Sequence, residues 1–349
     1  MPRSGRRTTD HGPRESLRAY PLRTGQFVVC RPWSVVLLAL VLGAGCTSAS
    51  QSVSPQPGPP WPAERADAGL QAAVEEAVHG FDGRVGVYVR HLPTGRTAAL
   101  DADSLFPTAS TIKVPILVAT MDAVERGDLA WGQTLVFRDS LRYDSHGLFG
   151  LLQDSARVSL HRAVETMLSA SDNTSSLWLQ ALSGGGETIN AWLAANGFEG
   201  TRMNSRTPGR RPDWERYGWG QTTPREMAEL VRRIVDGEAV SPAADHEMHR
   251  ALTRTFYDDE AVGALPPSVQ VASKQGAVSD SRSEVIYVHA PSGPYVFALF
   301  TDDQADTSWT PGNAGWQLLH RVSGLAWATF EPASSWAPPP GAERYSVGE

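Results

Sequence analysis

Apolar positions recur along the chain with two different periods, and the changes of period divide it into segments. In Val85-Gly86-Val87-Tyr88-Val89 they fit the pattern of a strand. Pro93-Thr94-Gly95 turns that strand into a second one ending near Asp101, which makes a hairpin. An Ala-rich amphipathic stretch before it predicts a helix over about 66–79. From Ser110 the spacing becomes helical, and Ile112, Val114, Ile116, Leu117, Met121 and Val124 suit a helix buried on most sides. Further helices are expected over 160–170, 174–183, 187–196 and 223–237, the last capped by Thr223 with Pro224 at its first position. Strands return at 269–277, 285–288 and 295–301, with Pro291-Ser292-Gly293 turning between the last two, and a final helix covers about 313–328. Strands, a helical block, strands and a closing helix predict an α/β chain of the α+β type. Its antiparallel sheet has helices on both faces and an all-α subdomain beside it.

The ends read differently. Arg31 precedes an apolar run over 35–42, then Gly43, Ala44, Gly45 and Cys46. The run is too short to span a bilayer and fits the apolar region of a secretory signal. Leu42-Gly43-Ala44-Gly45-Cys46 is similar to a bacterial lipobox, with Gly43 where Leu is usual. Residues 1–46 are therefore expected to be an export signal with Cys46 lipidated, which puts the protein outside the cytoplasm with membrane contact through that anchor alone. The 30 residues before Arg31 are long for a signal's basic region and point to a start near Val28 or Val29. Residues 47–65 read as a flexible linker, 66–332 as the folded domain and 333–349 as a disordered tail.

Composition narrows the partners. With 41% apolar and 20% charged residues the chain can build a core without disulfides. Its two cysteines, Cys30 and Cys46, both lie in the leader, which excludes thiol chemistry and a cysteine metal site in the domain. Net charge is −7, and the leader's arginines mask a more acidic body, which argues against a nucleic-acid partner. A monomer is expected, with no cofactor and no metal.

The candidate chemistry starts at Ser110-Thr111-Ile112-Lys113, where Ser110 and Lys113 are three residues apart and share a helix face. A desolvated lysine amine can take the proton of a serine hydroxyl, and a helix start offers free N–H groups to a developing oxyanion. The chain also has 31 basic side chains of which only Lys113 and Lys274 are lysine. Arg cannot act as a base near neutral pH, so a chain that otherwise uses Arg has kept Lys where an amine is needed. Ser171-Asp172-Asn173 lies in a loop between two predicted helices, and Lys274-Gln275-Gly276 lies in a predicted strand.

These three stretches, in this order, resemble the S-x-x-K, S-D-N and K-T-G motifs of the serine penicillin-recognising family, and most closely the class A β-lactamases, over roughly residues 66–330. The resemblance implies a β-lactamase/transpeptidase-like fold and a small β-lactam or peptide-like substrate. It makes Ser110 the acylated nucleophile, Lys113 its base and Ser171 the relay to the leaving nitrogen. Asn173 would hold the acylamino carbonyl, Lys274 would add positive charge near the substrate carboxylate and beside Ser171, Gln275 and Gly276 would contact substrate, and the N–H groups of Ser110 and Ala277 would form the oxyanion hole. Two departures stand out. Gln275 replaces the family's Thr or Ser, and Thr207 falls where class A enzymes carry the glutamate that activates the deacylating water; Asp213 or Glu215 could substitute only by folding back.

The expected function is a serine hydrolase opening β-lactams or a related amide or ester through a Ser110 acyl-enzyme. The alternatives are a penicillin-binding D-alanyl peptidase, an esterase, or a non-turnover β-lactam sensor or sink. Arg282 is a further candidate for a carboxylate contact, and Trp214 and Trp219 for a cleft wall. Trp131, Trp178, Trp192, Trp316 and Trp327 are expected in the core. His246-Glu247-Met248-His249 lacks zinc-helix spacing and reads as a solvated face, and Gly184-Gly185-Gly186 reads as a helix break.

Overall fold

The computed structural model describes residues 60–144 and 147–339. The expected signal, the lipidation site Cys46 and most of the linker lie outside them. In chain order the elements are β1 (Arg65–Ala66), α1 (Ala68–Val78), β2 (Arg84–His91), β3 (Arg96–Leu100), β4 (Phe106–Pro107), a 3-10 turn (Ala109–Ile112) and α2 (Lys113–Glu125). There follow β5 (Thr134–Val136), β6 (Arg157–Ser159), α3 (Leu160–Ser169), α4 (Asn173–Leu182), α5 (Gly185–Ala195), β7 (Arg202–Met203), α6 (Arg211–Tyr217) and β8 (Gly220–Thr222). The chain closes with α7 (Pro224–Asp236), α8 (Pro242–Leu252), β9 (Val271–Val278), β10 (Ser281–Val288), β11 (Tyr295–Asp302) and α9 (Ala314–Phe330).

Six strands form the main sheet in the order β1-β3-β2-β11-β10-β9, antiparallel throughout except for the β1–β3 pair. Successive side chains leave a strand on opposite faces. Val85, Val87, Val89, Ile286, Val288, Phe297 and Leu299 join α1 and α9 in one core, while Tyr88, Val285, Tyr287, Val296, Ala298 and Phe300 join the helical block in the other. Burial on both faces explains why these strands read as almost continuous apolar runs. The layout expected from the order of elements is the one found.

The helical block is built around α2, in which every residue from Lys113 to Met121 is buried. Helices α3, α4, α5 and α8 surround it. Trp178, Trp316 and Trp327 are buried as expected, whereas Trp131 and Trp192 are half-buried at the edge of the core. The 242–252 region is a helix rather than only a solvated face. Ser241 caps it, Pro242 opens it, and Met248 is fully buried while His249 meets His289. Its charged composition hid an apolar stripe of Ala244, Met248, Ala251 and Leu252. The body also extends to the N-terminal side of α1: Tyr88 Oη donates to Glu64 and Arg90 to Pro62 O, and Arg65–Ala66 pairs with β3.

One buried carboxylate holds the two loops of the helical block together. Asp172 Oδ1 caps α4 by accepting from Ser175 N at 2.7 Å, and its Oδ2 accepts from Phe149 N at 2.9 Å. Gly147 has no side chain because Asp172 occupies the space: a Cβ there would meet Oδ2. Asp172→Ala removes a helix cap and strands a buried N–H, so it is expected to cost about 2–4 kcal/mol, read as a fall in Tm by calorimetry. A Tm unchanged from wild type would show that the loop is held by other contacts.

Candidate active site

The nucleophile candidate sits on a turn rather than inside a helix. Thr108 O accepts from Thr111 N at 3.0 Å and from Thr111 Oγ1 at 2.8 Å, which tightens Ala109–Ile112 into a 3-10 turn, and the α-helix begins only at Lys113. With three residues per turn, positions i and i+3 eclipse, so Ser110 lies directly over Lys113. Ala109, just before it, holds φ +45°, a conformation that a side chain rarely adopts. Strand β9 comes up against this turn because residue 276 is glycine: a Cβ there would lie 2.6 Å from Ser110 N and 2.9 Å from Thr108 O. Ser283 Oγ, on the neighbouring strand, ties the two together at 3.0 Å from Thr108 O and 3.2 Å from Gly276 O. The backbone of Gly276 therefore lies close against that of Ser110.

Lys113 is fully buried, and its Nζ is surrounded by four oxygens: Ser110 Oγ at 3.0 Å, Ser171 Oγ at 3.0 Å, Ser171 O at 2.5 Å and Asn173 Oδ1 at 2.9 Å. No carboxylate is among them. Burial pushes the amine well below the ordinary lysine range, and the charge of Lys274 pushes it further, against the weaker pull of Asp172 and Asp144. A neutral amine has two N–H groups and one lone pair. Ser171 O and Asn173 Oδ1 can only accept, so they take the two N–H groups, and the lone pair is left for a hydroxyl proton from Ser110 or Ser171.

Ser171 and Asn173 stand on either side of the Asp172 cap. Ser171 has φ +55°, which turns its carbonyl onto Lys113 while its hydroxyl lies between the two lysines, 3.0 Å from Lys113 Nζ and 3.1 Å from Lys274 Nζ. Asn173 opens α4, with its Nδ2 donating to Asp144 at 3.3 Å. Ser110, Ser171 and Asn173 are partly open to solvent; both lysines are not.

Lys274, on the edge strand β9, donates to Gln275 O at 2.8 Å and to Gln275 Oε1 at 2.5 Å. Burial brings its pKa down to about 7, opposed by the carboxylates of Glu260 and Glu284. Those acids are themselves buried, and desolvation pushes Glu284 up to about 7 and Glu260 up as well. Glu284 Oε1 accepts from Ser273 Oγ and Oε2 from Ala261 N, both at 2.7 Å.

The remaining expectations divide. Arg282 does not reach the site: it is fully buried, its guanidinium lies between Trp309 and Trp316, and its two terminal nitrogens donate to the carbonyls of Val278, Ser281 and Ser308. Thr207 Oγ1 donates to Ser205 O at 2.9 Å. Asp213 and Glu215 pair with Arg210 and Arg211 on the surface of α6. Trp214 lies against Arg211, and Trp219 packs edge-on against Tyr143. Sequence reasoning overlooked Ser283, Asp144 and the acids behind Lys274. A glutamate directly before the apolar run of β10 was the signal available for Glu284. Among the described residues no cluster of three His, Cys, Asp or Glu side chains could hold a metal.

The chain matches known proteins over this same region. The profile described as the beta-lactamase enzyme family matches residues 69–330. The beta-lactamase AER-1 of Aeromonas hydrophila is 27% identical over 66% of this chain and 77% of its own, and a Streptomyces fradiae beta-lactamase is 27% identical over 80% and 91%. Among solved structures, PBP-A superposes with a TM-score of 0.70 at 27% identity, covering 78% of this chain and 99% of that one. A beta-lactamase from Sphaerobacter thermophilus gives 0.67 at 25%, over 76% and 98%. A family match over well more than half its length, on the segment that carries all three motifs, means that the chain belongs to the beta-lactamase enzyme family.

Proposed function

We propose that the protein is a serine hydrolase that opens β-lactams, or a related amide or ester, through an acyl-enzyme on Ser110 that it releases slowly. The observation that carries this reading is the buried Lys113 amine, held by neutral oxygens alone and 3.0 Å from both the Ser110 and Ser171 hydroxyls. Ser110 Oγ attacks the substrate carbonyl carbon as its proton passes to Lys113. The N–H groups of Ser110 and Ala277 receive the oxyanion. As the C–N bond breaks, Ser171 gives its proton to the leaving nitrogen and recovers one from Lys113. Asn173 and Gly276 line the acyl side of this path.

Slow release is the second half of the reading. Thr207 stands where class A enzymes carry a glutamate, and its hydroxyl is too weak a base to activate water. The nearby acids Asp213 and Glu215 are paired to arginines. PBP-A, similar to this chain along 99% of its own length, has been captured as an acyl-enzyme with penicillin G in one point mutant. That likeness supports acylation by penicillins here, and it favours a penicillin-binding role over rapid turnover. The leader supports export with an anchor at Cys46. Cys46→Ser is expected to move the protein from the membrane fraction to the soluble one on cell fractionation, and no change in its distribution would remove the anchor.

Intact-mass spectrometry with benzylpenicillin tests the core of the proposal. A single adduct that persists for many minutes is expected, absent in Ser110→Ala. Thr207→Glu should speed its loss about tenfold or more, short of the roughly 10²–10⁴ of a well-placed base, with its formation little changed. No adduct on the wild type from benzylpenicillin, its methyl ester or a p-nitrophenyl ester would sink the reading.

The two lysines separate in a pH series. Lys113 must be neutral to work, so acylation should rise with pH as it loses its proton. Lys274 loses its charge as pH passes about 7, so the rate should turn down above that point. Lys274→Arg keeps a charge at every pH and should remove the downturn. Lys113→Arg should lose about 10²–10⁴ in acylation rate. A Lys113→Arg variant as fast as wild type would exclude the base role.

A further inference from the structure

The departure at position 275 has a geometric consequence for what can bind. Lys274 Nζ has three partners, Ser171 Oγ at 3.1 Å, Gln275 O at 2.8 Å and Gln275 Oε1 at 2.5 Å, and the side chain is 1% exposed. An ammonium group has three N–H donors, and these three oxygens use them all. A neutral amine would give its two N–H groups to the oxygens of Gln275 and accept from Ser171. In neither state does Lys274 keep a donor for an incoming anion.

Neither polar neighbour on β10 takes over that task. Arg282, the other cation on the β9–β10 pair, has its two terminal nitrogens on three backbone carbonyls, its Nε buried without a partner and its plane between two tryptophans, on the strand face opposite Ser283. Ser283, opposite Gly276 on β10, is tied to Thr108 O and Gly276 O. A threonine hydroxyl at 275 would be too short to fold back onto the amine of its neighbour; the longer glutamine arm reaches it. Once its Oε1 is committed to Lys274, Gln275 still has the two N–H groups of Nε2, which suit an uncharged oxygen such as an ester or amide carbonyl.

We infer that Gln275 closes the subsite in which a substrate carboxylate would meet Lys274, so that the site selects acyl donors that are uncharged at that end, esters or neutral amides, over those carrying a free carboxylate beside the leaving group. This rests on Ser110 being the acylated residue. The specificity residue acts by occupying the donors of Lys274, and it should be visible as a ratio of rates rather than as a rate.

The test compares benzylpenicillin with its methyl ester, two compounds with the same ring and acyl group, by second-order rates of adduct formation on Ser110 measured by intact mass. Wild type is expected to favour the ester. Gln275→Thr frees Lys274 and should shift the ratio toward the free acid by about 10- to 100-fold, the range of one charge-assisted hydrogen bond. Gln275→Glu keeps the shape of the side chain and places a fixed negative charge there, so it should shift the ratio the other way. That second variant keeps the test decisive if the threonine variant folds poorly. A wild type that prefers the free acid, with a ratio that neither variant moves, overturns the assignment to Gln275 and leaves acylation of Ser110 standing. No adduct from either compound, nor from a p-nitrophenyl ester, overturns the Ser110 reading and this inference together.

Discussion

A lysine amine taken out of water with no carboxylate bonded to it is costly as a cation and cheap as a base, and the site is arranged around one such group. Four oxygens converge on Lys113 Nζ, none of them charged. They come from three places in the chain, two of them from Ser171. The 3-10 turn brings Ser110 over the amine, the left-handed backbone at Ser171 turns its carbonyl inward, and the start of α4 supplies Asn173. The helix that carries Lys113 is enclosed through Met121, so the amine cannot swing out to water. Relaxing any of these would let the group find solvent and recover its proton.

The two backbone conformations that disfavour a side chain at this site, at Ala109 and Ser171, are each held by neighbours that fix the segment on both sides. Thr108 O is bound by Thr111 and by Ser283, and Asp172 anchors the segment after Ser171 to α4 and to the 147–149 loop. Sheet and helical block thus meet at the reacting groups themselves, β9 on one side and the turn before α2 on the other. The close approach at Gly276 is the seam between them.

Much of this was readable from residue types. The three short motifs, the loop position of Ser171, the strand position of Lys274 and the kept lysines identified the six side chains that the hydrogen bonds join. The sheet with two covered faces followed from the order of elements. What could not be read was direction. Arg282 follows the third motif closely, but strand alternation sends it to the face opposite Ser283, where two tryptophans receive it. Helix α8 was masked by its charges, the two-residue strands β4 and β7 are too short to carry a period, and a 3-10 turn and an α-helix give the same apolar spacing over four residues. The acids behind Lys274 lie far from it in sequence or across a strand pair, and only the folded chain brings them together.

The scarcity of lysine has a further result for anyone who handles the protein. Lys113 and Lys274 are the only side-chain amines in the sequence, and they are 0% and 1% exposed. An acylating dye, an aldehyde crosslinker or cyanate meets no primary amine on the surface of the domain other than what a chain terminus provides. Reagents of this kind will leave the amines of the folded protein almost untouched, and any label that does enter a lysine must arrive through an opening of the Ser110 network. The rate of amine labelling is therefore a clock for how often that network comes apart, read without substrate.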